Sequence, residues 1–269
     1  SYNTNDNKIR YFAGNKGFAG ISNSDGGSTS ISQKQFLRNY IAADIQRRNA
    51  TNFISVGGMS ISFGAGYRVE NDTIDRLVVT VHPAVTAAVT SAITITGITT
   101  GTNSVATASV LVTNNIIDSL INNNTNAAAI TGTGFVTNTV RGLAQGTSQG
   151  PSVVYSQNRF TNFFVPNTGT NSSSVVNGIN QTGTIGARYV GNLVTNLRNE
   201  AIGTTATASG FTTSATGADT LINNIFSNIV GAENNPNGVL GYSATGTTNH
   251  VVWNNTFYLT NLTSQRSNF

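Results

Sequence analysis

The sequence predicts an all-β fold, a right-handed parallel β-helix of about nine to ten rungs in which short strands wind around one axis. Three observations predict it. An asparagine recurs with apolar residues at fixed distances after it, and a glycine–apolar pair recurs 14 residues before that asparagine. The composition is the third: 39 Thr and 37 Asn stand among many Val and Ile, while only 9% of residues are charged, against roughly 25% in an ordinary soluble domain.

The asparagine repeat consists of Asn, an apolar residue two positions later, and a second apolar residue at the fifth or sixth position. After Asn192, for example, the two apolar residues are Val194 and Leu197. Asp72 takes the place of asparagine in one imperfect copy. The asparagines of the repeat, which we expect to form a structural ladder, are Asn7, Asn39, Asn115, Asn138, Asn158, Asn192, Asn224 and Asn255.

The spacing of these copies, with the one at Asp72 included, indicates the length of a circuit. We interpret the two shortest intervals, from Asn115 to Asn138 and from Asn138 to Asn158, as one circuit of three short strands each. The longer intervals are then circuits that also carry a loop, and the interval from Asp72 to Asn115 predicts a further rung around residues 91–98. Clusters of Gly, Asn, Ser, Thr and Pro predict loops at residues 165–174, 199–208 and 231–238.

Stacking explains why asparagine suits this position. Residues at 0 and +2 of a strand point to the same face, so the asparagine and the first apolar residue both face the interior. The apolar residue at +5 has the opposite parity, which demands a corner, and asparagine tolerates the left-handed backbone of a corner. Its amide can bond the same amide one rung above and below, about 4.8 Å away. Asn162, Asn196 and Asn228, each four residues further on, predict a second ladder.

The glycine–apolar pair marks a second fixed strand. Gly178, Gly210 and Gly241 each precede an apolar residue and lie 14 residues before Asn192, Asn224 and Asn255, respectively. A constant lag between two independent motifs indicates that each coil holds at least two strands in a fixed order.

We expect residues 1–269 to form one β-helix domain, less regular over 1–110 and regular over 111–269. Residues 32–49 are ambiguous, because they lack Gly and Pro and begin with a Ser-x-x-Gln pattern that could start a helix capping the open end of the solenoid. Residues 36–45 also align with 189–197, which favours a rung. Since the chain begins at Ser1 without Met, we expect it to have been processed or to be part of a longer translation product, and we treat it as a fragment of a longer chain.

Composition argues against several functions. The net charge is +4 and no basic run exceeds Arg47-Arg48, so nucleic-acid binding is not expected. No apolar run is long enough to cross a bilayer as a helix, so we expect no membrane insertion of this segment. The absence of Cys excludes disulfides, thiolate metal sites and Cys nucleophiles.

No catalytic residue and no cofactor site are predicted. Residues 146–150 (GTSQG) fit the nucleophile-elbow pattern around Ser148. That pattern also needs a strand-to-helix turn, a histidine and an acid, and the only histidines are His82 and His250. We therefore interpret this segment as a polar corner between rungs.

One carboxylate cluster supplies weak candidates for a metal site: Glu70, Asp72 and Asp75, flanked by Arg68 and Arg76. If Glu70 and Asp72 share a strand face, they suit Ca²⁺ binding or the paired carboxylates of a glycosidase. An exposed, salt-bridged rung is the simpler interpretation, because residues 77–269 contain only four acids.

Three segments carry a family resemblance: 223–229 (NNIFSNI), 251–259 (VVWNNTFYL) and 237–246 (NGVLGYSATG). They resemble the right-handed parallel β-helix repeats of large secreted and outer-surface proteins of Bacteroidota that the type IX system exports. The resemblance covers residues 110–269 well and 1–110 loosely. It implies a long, surface-anchored, largely non-enzymatic protein whose export signal lies at a C-terminus beyond this chain.

The resemblance also implies partners and a modification. The partners are the rest of the same longer chain, surface glycans and the secretion machinery. The modification is O-glycosylation of Ser or Thr in Asp-Ser/Thr-apolar triplets, which in this chain contain Thr73, Ser119 and Thr220.

We therefore expect an extracellular structural stalk, display or adhesive module without enzymatic activity. Two alternatives stay open. A polysaccharide-binding or -degrading β-helix, such as a tailspike or a lyase, shares this fold. An ice-binding solenoid would use Thr-x-Thr pairs, which begin here at Thr94, Thr182 and Thr245.

Overall fold

In the computed structural model, all regular secondary structure of the described residues is β-strand. The structure describes residues 2–12, 17–24, 33–51, 54–62, 66–101, 109–126, 137–146, 152–166, 173–231, 235, 238–246 and 248–261. Their strands pair in parallel and form three sheets, which we name A, B and C.

The strands are numbered in chain order and are distributed among the three sheets. Sheet A contains β1 (Tyr2–Asn5), β4 (Gln33–Leu37), β7 (Gly66–Glu70), β10 (Ser109–Thr113), β14 (Ser152–Ser156), β17 (Arg188–Val190), β20 (Thr220–Ile222) and β23 (Val251–Trp253). Sheet B contains β2 (Lys8–Phe12), β5 (Tyr40–Arg47), β8 (Thr73–Val81), β11 (Ile116–Asp118), β12 (Ile121–Asn123), β15 (Arg159–Val165), β18 (Leu193–Asn199), β21 (Ile225–Gly231) and β24 (Thr256–Asn261). Sheet C contains β3 (Phe18–Asn23), β6 (Ile54–Ile61), β9 (Ile93–Thr100), β13 (Asn138–Gln145), β16 (Val175–Gln181), β19 (Thr207–Thr213) and β22 (Val239–Ala244).

Each coil of the chain passes through sheet A, then sheet B, then sheet C, and neighbouring strands in a sheet belong to consecutive coils. The fold is therefore a right-handed parallel β-helix, as the sequence predicts. The described strands make eight coils, which at about 4.8 Å per strand span roughly 34 Å.

The number and length of the coils differ from the prediction of nine to ten rungs. Equivalent corner residues of consecutive coils are separated by 31 positions at the shortest and 43 at the longest, because every circuit includes two variable connections. Residues 91–98, predicted as an extra rung, lie largely in β9, the sheet C strand of the third coil.

The connection from sheet A to sheet B is constant, whereas the other two connections vary in length. It contains two residues in all eight coils. The first adopts a left-handed backbone, as at Arg38 (φ 58°) and Asn71 (φ 58°), and this reversal turns the chain sharply. The second residue then points inward, as Asn39 does with 1% exposure. The corner is thus fixed by two residues.

The sheet B strands of the third to seventh coils bend once more, four residues after the corner. Left-handed residues occupy this bend at Arg76, Ser119, Asn162, Asn196 and Asn228. Beyond the bend, the alternation of inward and outward side chains is shifted by one residue. Val194 and Leu197 are therefore both fully buried although three positions separate them. This explains the apolar spacing of +2 and +5.

The core is a set of apolar columns that run along the axis. Sheet A contributes one column through Phe36, Val69, Val112, Tyr155, Tyr189 and Leu221, all fully buried. Sheet B contributes another through Ile41, Ile74, Ile117, Phe160, Val194 and Phe226, also fully buried. Burial of each such side chain stabilises the fold by about 1.5–3 kcal/mol.

Sheet C contains a column of glycines with one member in each described strand. The column comprises Gly20, Gly58, Gly97, Gly142, Gly178, Gly210 and Gly241. A Cβ at Gly178 would lie 2.7 Å from the carbonyl oxygen of Gly210 and 2.3 Å from Cγ1 of Val194. Close stacking against sheet B therefore excludes any side chain, which is why the glycine–apolar pair keeps its distance from the repeat asparagine.

Residues 33–47 form β4 and β5, so the rung interpretation of this segment is confirmed and the capping helix is wrong. A left-handed residue, Arg38, and an inward amide, Asn39, interrupt the stretch at the sheet A to sheet B corner. A continuous helix cannot accommodate that reversal.

Two adjacent glycines in β6 test the glycine column. A Cβ at Gly58 would lie 2.7 Å from both the Gly97 carbonyl oxygen and Cδ1 of Ile74, whereas a Cβ at Gly57 would come only within 4.0 Å of the Phe18 carbonyl oxygen. We expect Gly58→Ala to lower the free energy of unfolding by about 2 kcal/mol or more, measured by urea denaturation followed by circular dichroism. Gly57→Ala, the matched control, is expected to stay within about 0.5 kcal/mol of the parent. Equal effects of the two substitutions would contradict the account.

Candidate functional site

The sheet A to sheet B corner holds one continuous column of side-chain amides. The main-chain N–H and the Nδ2 of Asn158 both donate to Oδ1 of Asn192, each at 3.0 Å. Asn192 donates in the same way to Asn224, each at 2.9 Å. With one acid in place of an amide, the column comprises Asn7, Asn39, Asp72, Asn115, Asn158, Asn192, Asn224 and Asn255.

Each ladder asparagine after the first coil also donates from Nδ2 to a main-chain carbonyl of the preceding coil. Asn192 bonds the carbonyl of Tyr155 at 3.0 Å, and Asn224 bonds that of Tyr189 at 2.9 Å. The acceptor lies three residues before the preceding ladder position in each of these coils. Ladder residues in the middle coils are at most 1% exposed, so these bonds satisfy groups that water does not reach.

Asn138 does not belong to this ladder, and that prediction is wrong. It begins β13 in sheet C, where it aligns with Ile93. Its Oδ1 accepts from Nδ2 of Asn124 at 3.0 Å. The misassignment has a physical origin. The bend at Gly142 shifts the alternation of inward and outward side chains in sheet C by one residue, as the left-handed bend does in sheet B. Strands of both sheets therefore show apolar residues at +2 and +5. The two shortest intervals of the repeat arise from this coincidence, and neither is a circuit.

Asp72 is the one carboxyl group in the ladder, and it is 1% exposed. Its Oδ1 accepts from the N–H and Nδ2 of Asn39 at 2.6 and 2.8 Å. Its Oδ2 is buried and makes no hydrogen bond with the described residues, because a carboxylate cannot make the donation that an asparagine Nδ2 makes there. Burial raises the pKa of Asp72 to about 7, against a partial lowering by the bonds from Asn39.

Glu70, Asp72 and Asp75 do not converge on a metal. Asn71, with φ 58°, reverses the chain between Glu70 and Asp72, so the expectation that these two share a face is wrong. Glu70 lies half-buried in an ion pair with Arg68, and Asp75 accepts a hydrogen bond from the Tyr40 hydroxyl at 2.9 Å. Among the described residues, no group of three or more His, Cys, Asp or Glu side chains could hold a metal ion.

The two histidines lie in different connections of the solenoid. Nδ1 of His82 accepts from the N–H of Ala84 at 3.1 Å in the loop between β8 and β9. Nδ1 of His250 accepts from the N–H of Asp219 at 3.0 Å. Ser148 lies outside the described residues.

The predicted second ladder lies on the surface of sheet B. Nδ2 of Asn196 donates to Oδ1 of Asn162 at 3.0 Å, and Nδ2 of Asn228 donates to Oδ1 of Asn196 at 2.5 Å. Asn162 donates in turn to Oδ1 of Asp118 at 2.6 Å. These residues, unlike the buried ladder, themselves adopt the left-handed backbone.

The three triplets predicted to be glycosylated differ in how deeply their aspartate is buried. Asp72 and Asp219 are buried, and Oδ1 of Asp219 accepts from the N–H of Ala187 at 3.0 Å. Asp118 and Ser119 are both half-buried and lie side by side at the bend of sheet B, and Ser119 donates to Asp118 at 3.1 Å. Thr73 and Thr220 are half-buried at strand starts. Glycosylation of the three stays a prediction.

Sequence reasoning missed a polar network inside the solenoid. The rings of Tyr155 and Tyr189 stack with centroids 5.1 Å apart. The Tyr155 hydroxyl bonds Oγ1 of Thr100 at 2.8 Å, and the Tyr189 hydroxyl donates to Oε1 of Gln145 at 2.7 Å. Burial raises the pKa of both tyrosines well above the ordinary value. The only signal in the sequence is a polar residue at the end of successive sheet C strands.

A buried arginine was also missed. Arg47 ends β5 fully buried and donates to the carbonyl oxygens of Ser91 at 2.9 Å and Ala50 at 2.7 Å, and to Oδ1 of Asn124 at 2.7 Å. It also donates to the carbonyl of Asn49. Burial lowers the pKa of Arg47, and main-chain oxygens take the place of a carboxylate. In the sequence, the pair Arg47-Arg48 gives no indication that the first of the two arginines is buried.

In comparisons with protein-family models, curated proteins and solved structures, nothing significantly matches the chain. The described residues include no helix that could cross a membrane. The fold and its amide column therefore define the class of this protein, a parallel β-helix with a buried asparagine ladder.

Replacement of the ladder carboxyl group tests how much the buried Asp72 lowers the stability of the fold. Since the folded chain holds the Asp72 proton up to about pH 7 and the ordinary pKa is 3.8, the free energy of unfolding should fall as the pH rises between these values. At 1.36 kcal/mol per pKa unit, the loss is on the order of 4 kcal/mol at most. We expect Asp72→Asn to restore this stability at pH 8 and to change little at pH 4, measured by denaturant unfolding across the pH range.

Asn115→Asp is the matched control, because it places a second carboxyl group one coil further along the same column. We expect it to add a pH-dependent loss of the same sign. An Asp72→Asn variant with the same pH profile as the parent would show that Asp72 is not held protonated.

Proposed function

We propose that this chain is a rigid, non-enzymatic structural module that spaces or displays other parts of a secreted cell-surface protein. The observation that carries this proposal is the unbroken amide column, which links all eight coils from Asn7 to Asn255. A protein that must hold a fixed length gains from such a column, because the same pair of bonds locks each coil to the next, except from Asp72 to Asn115, where only the main-chain N–H donates.

The parallel pairing predicts resistance to bending and to proteolysis, which supports the proposal. Parallel pairing engages the main-chain groups of consecutive coils, as in β18, whose register with β21 runs from Leu193 to Arg198. Protease-sensitive basic residues such as Arg159 and Arg188 lie within strands, where the backbone cannot enter a protease cleft without local unfolding. A stiff, protected rod suits an extracellular role.

We assign adhesive contacts to the connections between sheets B and C. The segments 165–174, 199–208 and 231–238 contain these connections in the fifth, sixth and seventh coils. They vary in length while the ladder corner does not, so they can change without disturbing the stack. Surface glycans and secretion machinery are the partners that we propose for them.

Polysaccharide degradation and ice binding find less support. The candidate carboxylates Glu70, Asp72 and Asp75 point in different directions, which does not suit paired-carboxylate hydrolysis. The three Thr-x-Thr pairs do not share one setting, since Thr94 belongs to β9 whereas Thr182 and Thr245 each follow the end of a sheet C strand, so the three do not form one flat rank for ice.

Deletion of one coil tests the spacer function. Removal of residues 193–224 joins Asn192 to Ile225 and takes out β18, β19 and β20, a single circuit. We expect the shortened chain to fold, to resist proteinase K as the parent does, and to lose about 5 Å in its maximum dimension by small-angle X-ray scattering.

Removal of half a circuit, residues 193–208, is the control. It joins Asn192 to Ser209 and forces a sheet C strand into sheet B, so we expect loss of protease resistance. Misfolding after removal of the whole circuit, or release of soluble sugars from a polysaccharide by the parent chain, would sink the proposal.

A further inference from the structure

The outer face of sheet C is concave. The glycine column marks a bend in each strand, and over the fifth to seventh coils the outward residues next to it, Asn177, Ser209 and Leu240, line a groove. Although Thr96, Asn177 and Ser209 point outward, their exposed fractions are only 8%, 4% and 1%. These residues and Arg141 stand in one column across consecutive coils, because Arg141 aligns with Thr96 on one side and with Asn177 on the other.

Hydroxyl and amide groups line the groove together with the aliphatic side chains of Val175 and Leu240. Over the fifth to seventh coils it encloses about 310 Å³. One rim carries Val175 and Thr207, and the other carries Asn180, Thr212 and Ser243. The rows repeat at the strand spacing of about 4.8 Å, so the groove runs parallel to the axis and suits an extended polymer better than a compact ligand.

One amide oxygen in the floor of the groove lacks a donor. Nδ2 of Asn177 donates to Oγ1 of Thr212 at 3.4 Å, and Thr212 donates onward to Oδ1 of Asn180 at 2.9 Å. Oδ1 of Asn177, however, is buried and accepts no hydrogen bond from the described residues. A buried acceptor without a donor costs about 1–3 kcal/mol, which a ligand hydroxyl group at this point would offset.

The adjacent guanidinium group is also uncompensated. Arg141 is half-buried, its Nε is inaccessible, and it makes no hydrogen bond or ion pair with the described residues. Burial lowers the pKa of Arg141, and no carboxylate of the described residues opposes that effect. An arginine stays charged in proteins, so a half-buried guanidinium without an anion is costly. Arg47, by contrast, is surrounded by oxygen atoms.

We propose that this groove, together with Arg141 one coil before it, binds a linear acidic polysaccharide, with a carboxylate or sulfate group on the Arg141 guanidinium and sugar hydroxyl groups on the Asn177 amide and the threonine rows. A guanidinium fork matches the geometry of such anions. Nucleic acid would require a row of basic residues, and Arg141 is the only basic residue in the described column from Gly57 to Leu240. The proposal does not depend on the spacer function.

Isothermal titration calorimetry of the full chain with polygalacturonate, and with neutral dextran for comparison, tests this site. We expect polygalacturonate to bind and dextran to bind at least tenfold more weakly. Arg141→Gln should weaken polygalacturonate binding at least tenfold. Arg188→Gln is the matched control, because it removes the same charge from an exposed position on sheet A, and we expect it to leave the affinity within twofold.

Thermal unfolding reveals whether Arg141→Gln folds. If it does not, a second variant tests the same site. Asn180→Trp fills the groove from its half-buried rim, and we expect it to block binding while the melting temperature stays close to that of the parent. The proposal is overturned if the parent does not bind polygalacturonate, if the two arginine variants lose affinity equally, or if Asn180→Trp binds as the parent does.

Discussion

The structure depends on one constraint, the two-residue corner that stacks a side-chain amide directly over the next. A left-handed residue turns the chain, and the ladder residue behind it places its Oδ1 under two N–H donors of the preceding coil, at 2.9 Å each between Asn192 and Asn224. Because both donors and the acceptor are buried, a coil that slipped by one residue would leave all of them unsatisfied. The corner therefore sets the register of the whole solenoid.

The other features follow from that fixed register. Once sheet B is in place, its inward side chains, such as Val194 and Phe226, lie so close to sheet C that only glycine fits opposite them. The resulting bend makes the outer face of sheet C concave and creates the groove around Asn177. The remaining connections carry no such constraint, which is why they absorb the variation in circuit length.

The sequence predicted the elements that repeat and missed those that do not. Seven of the eight predicted asparagines lie in the column, and the second ladder through Asn196 was also foreseen. Asn138 misled because a glycine bend and a left-handed bend produce the same apolar spacing. Arg141 and Tyr189 carry no periodic signal, since each depends on neighbours that only the stacking brings together. Asp72 was recognised as a member of the repeat, but only the structure reveals that its Oδ2 is buried and receives no hydrogen bond from the described residues.

The most direct test of the amide column compares a buried with an exposed ladder asparagine in the same coil. Asn192→Ala removes the acceptor of two Asn158 donors and a donor to Tyr155, and the account predicts a loss of more than about 3 kcal/mol in the free energy of unfolding, by denaturant titration. Asn196→Gly keeps the left-handed backbone and removes only exposed bonds, and the predicted loss is below about 1 kcal/mol. A loss at Asn192 no larger than that at Asn196 would contradict the account.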